Sequence, residues 1–188
     1  MDIENVHKNT KLLVNGMPYN IDDAEFVKPG KGRAIYRLKL KNLMDSSTLD
    51  ITYHSGDKVE EAHISNVEMQ YLYRDGDHYV FMNTETFEQQ FLDGKTIGDK
   101  RAFLKEGMMV TMMMLGDKPI SVSLPYFVEL QIVKSAVTTR TDTFTSQLKT
   151  AVLETGATIG VPTFVKEGDI IKVDTRTGTY VERVGTKK

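Results

Sequence analysis

The sequence contains no cysteine, which excludes a disulfide framework, a thiolate metal site and a thiol nucleophile. No stretch reaches the apolar length of a membrane span. Histidine is scarce. His7, His54, His63 and His78 show no metal-ligand spacing, and none pairs with a serine in a recognisable motif. The pattern G-x-x-x-x-G-K-[ST] is absent, so no phosphate loop of that kind is present. No metal, no cofactor and no catalytic residue are therefore expected, and the chain does not read as an enzyme. Met1-Asp2-Ile3-Glu4-Asn5-Val6 is acidic and has no basic segment followed by an apolar one. No signal peptide is expected, and the expected location is cytoplasmic.

The chain has 188 residues, of which 40% are hydrophobic, enough for one large domain or two to three small ones. The net charge of −2 argues against a protein that coats nucleic acid without selectivity. Its distribution is uneven. Residues 1–63 carry nine bases and ten acids, residues 64–128 six and nine, and residues 129–188 nine and seven. An RNA-binding protein of this kind would touch phosphate with selected faces only, and its affinity would fall moderately with salt.

Short alternating stretches punctuated by turn residues run through the whole chain. Lys11-Leu12-Leu13-Val14 leads into Asn15-Gly16, a two-residue hairpin signal, and Pro18 to Ile21 returns. Thr48 to Tyr53 alternates again and ends at Ser55-Gly56-Asp57. Val67 to Tyr73 and His78 to Met82 flank an Asp75-Gly76 turn. Thr84 to Leu92 reads as short helix or irregular chain, and Thr96 to Lys105 as a helix candidate with Asp99 as a possible cap. Gly107 to Leu115 reads as a buried strand, with its methionines as core fillers. Glu129 to Val133, Ala157 to Val161, Ile170 to Asp174 and Thr179 to Val184 complete the strands, and Ser135 to Ser146 reads as a loop or loosely held strand. The fold class is all-β, in small barrels. Spacing does not separate OB-type barrels from other small barrels.

The stretch that stands out is Glu25-Phe26-Val27-Lys28-Pro29-Gly30-Lys31-Gly32-Arg33-Ala34. Pro29 fixes its own φ, and Gly30 and Gly32 can take positive φ without steric cost. This places Lys31 at the tip of a tight loop between two strands, with Lys28, Pro29, Gly30, Gly32 and Arg33 supporting it. In the strand that follows, Tyr36, Leu38 and Leu40 alternate with Arg37, Lys39 and Lys41. Between Phe26 and Met44 there is no acid and there are six bases, which suits a polyphosphate surface. An ordinary solvated hairpin would show the same alternation. A nucleophilic lysine would need a desolvated pocket, the opposite of a glycine-flanked tip. Tyr71, Tyr73, Tyr79 and Phe81 suit either base stacking or cross-strand packing.

Glu25 to Gly32 resembles the lysine-bearing loop of the bacterial elongation factor P family. Tyr71 to Gly76 and Phe81 to Gln89 resemble the middle of that family. Lys149-Thr150-Ala151, Gly156, Val161-Pro162, Val165 and Gly168 resemble its C-terminal signature. The resemblance implies an SH3-like (KOW-like) domain at 1–63 and OB domains at 64–128 and 129–188. It implies a monomeric translation elongation factor that binds the 70S ribosome and its rRNA beside peptidyl-tRNA and relieves stalling at consecutive prolines. Lys31 matches the lysine extended by β-lysylation, which implies a lysine-modifying enzyme as a further partner. RNA contact is expected from Arg37, Lys39, Lys41, Tyr180 and Arg183. The family's Gly-Asp-Thr loop, implied to meet the exit-site codon, corresponds here to Thr141 to Leu148; Asp142 and Thr143 are kept, whereas the glycines are not. The rival reading is an OB-fold RNA-binding module with no role at the peptidyl-transferase centre.

Overall fold

The computed structural model describes residues 1–136 and 148–186. Three five-stranded antiparallel sheets follow one another along the chain. The first contains β1 (Lys11–Val14), β2 (Met17–Val27), β3 (Ile35–Asn42), β4 (Thr48–His54) and β5 (Glu60–Glu61), in the order β4-β3-β2-β1-β5. It is a meander whose last strand returns to the first. β1 and β2 meet in a two-residue turn, with Asn15 at φ 51° and Gly16 at φ 77°. Two successive positive φ values make this the turn whose twist matches the flanking strands.

The second sheet contains β6 (Ile64–Asp75), β7 (His78–Asn83), β8 (Gln89–Asp93), β9 (Met109–Leu115) and β10 (Lys118–Ser123), in the order β10-β9-β6-β7-β8. The third contains β11 (Phe127–Ser135), β12 (Leu148–Leu153), β13 (Thr158–Pro162), β14 (Asp169–Asp174) and β15 (Thr179–Thr186), in the order β13-β12-β11-β14-β15. The connectivity of these two is the same: the first strand is central, flanked by the second and the fourth. In the third sheet β13 also lies against β15, so the strip curls towards closure. This is the five-stranded barrel expected of OB folds. Two compact units divide the chain, Met1–Val67 with Met112–Ser121, and Glu68–Thr111 with Val122–Lys188.

The core follows the alternation. In β3, Leu38, Leu40 and Asn42 are buried, whereas Arg37, Lys39 and Lys41 are exposed. Leu38 and Leu40 join Ile3, Leu12, Ile21 and Val59 in one cluster. In the second sheet Tyr71, Tyr79 and Phe81 are buried, and the Tyr71 ring lies 5.4 Å from Phe81 and 5.9 Å from Tyr79. Core packing, not base stacking, is therefore what those three aromatic side chains do; Tyr73 alone of the four is exposed.

Several local expectations change. Thr84 to Leu92 is not helical, since its second half enters β8, which pairs with β7 from Met82↔Gln89 to His78↔Asp93. The helix expected from Thr96 is a short α-helix, α1 (Gly94–Ile97), run into a 3-10 helix at Gly98–Phe103; Asp99 lies within the latter and is not its cap. β9 is half-buried: Val110, Met112 and Met114 face inward and Met109 faces out. β12 is a strand that the sequence did not announce. Among the described residues, no helix is long and apolar enough to cross a membrane.

Candidate functional site: the lysine hairpin

β2 and β3 form one long hairpin, paired from Tyr19↔Asn42 to Val27↔Ile35. Residues 28–34 close it without strand structure, and Lys31 is exposed at the bend. Pro29 suits this place, because a residue without an N–H cannot serve a ladder. The two glycines differ. Gly32 adopts φ 101°, a conformation that side-chain-bearing residues rarely take, whereas Gly30 does not have positive φ. A Cβ at either would meet nothing within 4 Å, so open space surrounds the backbone beside Lys31. Among the described residues, Lys28 and Lys31 have no hydrogen-bond or ion-pair partner. Phe26, one ladder pair below the last one before the loop, is 56% exposed, and its ring lies 5.0 Å from that of Tyr36 at a tilt of 50°.

Arg33 is fixed. Its Nε donates to the Ser55 carbonyl at 2.8 Å, Nη2 donates to the same oxygen, and Nη2 lies 3.3 Å from Asp57 Oδ1. Below this turn, Glu4 Oε1 accepts from the Ser55 hydroxyl at 2.7 Å and from the Gly56 N–H at 2.8 Å. The Ser55 hydroxyl, then backbone N–H groups and the Arg33 charge, hold the Glu4 carboxyl below its ordinary value.

The cations of β3 have company that a linear reading does not show. Residues opposite one another in a ladder share a face. Arg37 stands between Glu25 and Thr52, with Nη1 3.5 Å from Glu25 Oε2. Lys39 stands between Asp23 and Asp50, and Lys41 between Asn20 and Thr48. Three acids thus stand beside Arg37 and Lys39, and the acid-free run is not an acid-free surface.

The remaining expected residues lie on the third sheet or outside the described residues. Asp142 and Thr143 fall in the latter class. Tyr180 is half-buried on β15 opposite Val173. Arg183 Nη1 lies 3.5 Å from Oδ2 of buried Asp169. Burial alone would raise the Asp169 carboxyl, but hydrogen bonds from the Lys166 N–H and the Thr186 hydroxyl, with the Arg183 charge, lower it. Arg183 is therefore committed to the barrel. An aromatic and cationic ladder nearby was not anticipated. Arg176 forms a two-pronged pair with Asp174 at 3.0 and 2.6 Å, and its guanidinium carbon lies 4.8 Å from the exposed Tyr126 ring. That pairing lowers Asp174 to about 2. Lys172 Nζ sits 5.4 Å from the Phe127 ring. Pro125-Tyr126-Phe127, two adjacent aromatics at a strand start, was the available signal.

Family models match the chain in three consecutive blocks: the elongation factor P KOW-like domain over residues 2–59, its OB domain over 64–122 and its C-terminal domain over 128–183. Elongation factor P of Coprothermobacter proteolyticus is 49% identical over 172 residues, 92% of each chain. This chain belongs to the elongation factor P family. The Aquifex aeolicus elongation factor P is 44% identical over 188 residues, covering 100% of this chain and 98% of that one. A solved translation initiation factor eIF-5A family protein from Naegleria fowleri shares the fold, with a TM-score of 0.54 at 18% identity over 66% of this chain and 96% of that one. Elongation factor P membership makes the chain a translation elongation factor and gives the first two sheets their KOW-like and OB assignments.

Proposed function

We propose that this elongation factor binds the 70S ribosome as a monomer beside peptidyl-tRNA and promotes peptide-bond formation at consecutive prolines, with Lys31 as the group that reaches the reaction centre. The carrying observation is the placement of an unpartnered lysine at the end of a long, rigidly paired hairpin, in open surroundings. Proline reacts poorly because its ring restricts the geometry of attack. A factor that holds the tRNA end and the nascent chain raises the rate by positioning and needs no bond-making group of its own. The ribosome is the catalyst in this reading.

A lysine-modifying enzyme would extend Lys31 by β-lysylation, lengthening the arm and adding amines that donate to tRNA backbone oxygens. Lys28 is the second tip cation open to phosphate. Arg37, Lys39 and Lys41 would also meet rRNA or tRNA phosphate, Arg37 and Lys39 more weakly because of the acids beside them. Asp142, Thr143, Tyr180 and Arg183 keep the RNA-facing roles implied by the family, with Arg183 acting from its pair with Asp169. The domains divide at 1–63, 64–128 and 129–188, and the protein works in the cytoplasm.

The test is synthesis of a triple-proline reporter in reconstituted translation. Natively purified protein, unmodified protein and Lys31→Ala are compared against a proline-free control. Rescue by native protein that Lys31→Ala lacks, at an unchanged melting temperature, is the expected result. A modified Lys31 peptide is expected by mass from the native source. Absence of rescue by any form would favour an RNA-binding module, a reading supported by the exposed Tyr126, Phe127 and Arg176 ladder and indifferent to Lys31.

A further inference from the structure

We infer that Arg33 is a positioning residue for Lys31: its grip on the Ser55-Gly56-Asp57 turn sets the direction in which the tip lysine points. The inference rests on the proposed role of Lys31 for its consequence, though not for its geometry. Residues 28–34 leave the ladder at Val27 and rejoin it at Ile35. On the leaving side, Lys28 has no partner among the described residues. On the returning side the chain is held twice in succession. The Ala34 carbonyl accepts from the Ser55 N–H at 2.8 Å, and the Arg33 guanidinium reaches the Ser55 carbonyl and Asp57. Among the described residues the loop is tethered on its returning side only, two residues from Lys31.

The receiving turn is itself fixed. Asp57 Oδ2 accepts from the His54 N–H at 2.8 Å, and the Asp57 carbonyl accepts from the Ile3 N–H at 3.1 Å, beside a core residue. Glu4 holds Ser55 and Gly56 from below. Gly56 adopts φ 86°, and a Cβ there would stand 3.1 Å from Arg33 Nη2. The turn thus has the conformation and the space that the guanidinium needs.

Stability does not explain the arrangement. The Arg33 and Asp57 side chains are 60% and 36% exposed, and pairs of that kind contribute little to folding. What a solvent-exposed fork can do is select one loop conformation among many of similar energy. A lysine at position 33 would keep the charge but lose the planar fork that meets carbonyl and carboxylate together. The two variants Arg33→Ala and Arg33→Lys therefore separate a clamp from a simple phosphate contact.

The test has two readouts. In the triple-proline assay, both variants are expected to show about a tenfold or greater loss of rate at saturating factor, because misplacement of about 1 Å is that costly. The half-saturating concentration and melting temperature should stay near wild type. Retained activity in Arg33→Lys, or a loss that more factor overcomes, would overturn the inference. Failure of the underlying reading shows differently, as absence of rescue by wild type. The second readout does not depend on translation. The chain has no cysteine, so a nitroxide pair at Lys31→Cys and Asp50→Cys is unique. Its distance distribution should broaden in the Arg33→Ala and Arg33→Lys backgrounds. An unchanged distribution in both would overturn the clamp whatever the assay shows.

Discussion

The tip of the β2–β3 hairpin and the outer face of β3 carry the same kind of side chain and present different surfaces. At the tip, Lys28 and Lys31 are exposed and have no hydrogen-bond or ion-pair partner among the described residues. On β3, Arg37 stands in register with Glu25 and Lys39 with both Asp23 and Asp50, while Lys41 has the neutral Asn20 and Thr48 beside it. A run without acids in one strand is answered by acids in the strands on either side. The comparison teaches that charge belongs to a ladder and not to a strand, so the lysines that dominate a linear reading are partly neutralised. The cation that counts is the one the ladder no longer reaches.

The largest expected effect separates the two faces of β3 itself. Leu40 is fully buried among Ile3, Leu12, Ile21 and Val59, so Leu40→Ala should cost about 2–5 kcal/mol of unfolding free energy, measured by denaturant titration. Lys39→Ala, one residue away and exposed, should cost within about 0.5 kcal/mol by the same measurement. Next comes the salt dependence of ribosome binding. Lys28→Gln with Lys31→Gln should reduce the log–log salt slope by about 1–2, and neutralising Arg37, Lys39 and Lys41 together by less than about 1. An equal or larger reduction in the triple variant would abolish the distinction between tip and strand.

Smaller still is the difference between the glycines. Gly32→Ala should cost about 1 kcal/mol because of its φ of 101°, whereas Gly30→Ala should be close to neutral, by thermal melts. The smallest effect is with pH. Glu4 is held below its ordinary value of 4.5, so its contribution is fully present above that value and is lost as pH falls through the folded value. Carbon-detected titration should find Glu4 low in the wild type and higher in Ser55→Ala. The same titration should show no change at Asp174, which its own Arg176 holds at about 2.

Much of the fold was legible because alternation reports directly on a half-buried strand. The Asn15-Gly16 turn, the inward Leu38 and Leu40 and the outward Arg37 could all be read locally. β12 could not, since Leu148 to Leu153 has an exposed leucine and a buried alanine, which blunts the contrast. β8 was hidden for a similar reason, with Phe91 exposed and only Leu92 buried. At the site, Lys31 and its glycines were visible in ten residues. The grip of Arg33 was not, because Ser55 and Asp57 lie more than twenty positions away and no local pattern marks them. Cross-strand acids were likewise invisible until the register was known, and the register shifts between Ile21 and Asp23.

β2 has a further consequence through its length. β1 ends its pairing at Asn20, while β2 continues to Val27, paired along its other edge with β3 up to the loop. The hairpin beyond Asn20 is a ruler on the order of 20 Å long, graduated in residue pairs. Adding two residues to each of its strands would carry Lys31 outward by about 7 Å with every side chain still on its own face. Adding one to each would move it half as far and turn the faces over, sending Leu38 into water. Unless a further irregularity like the one between Ile21 and Asp23 resets the faces, reach in this protein changes in even steps.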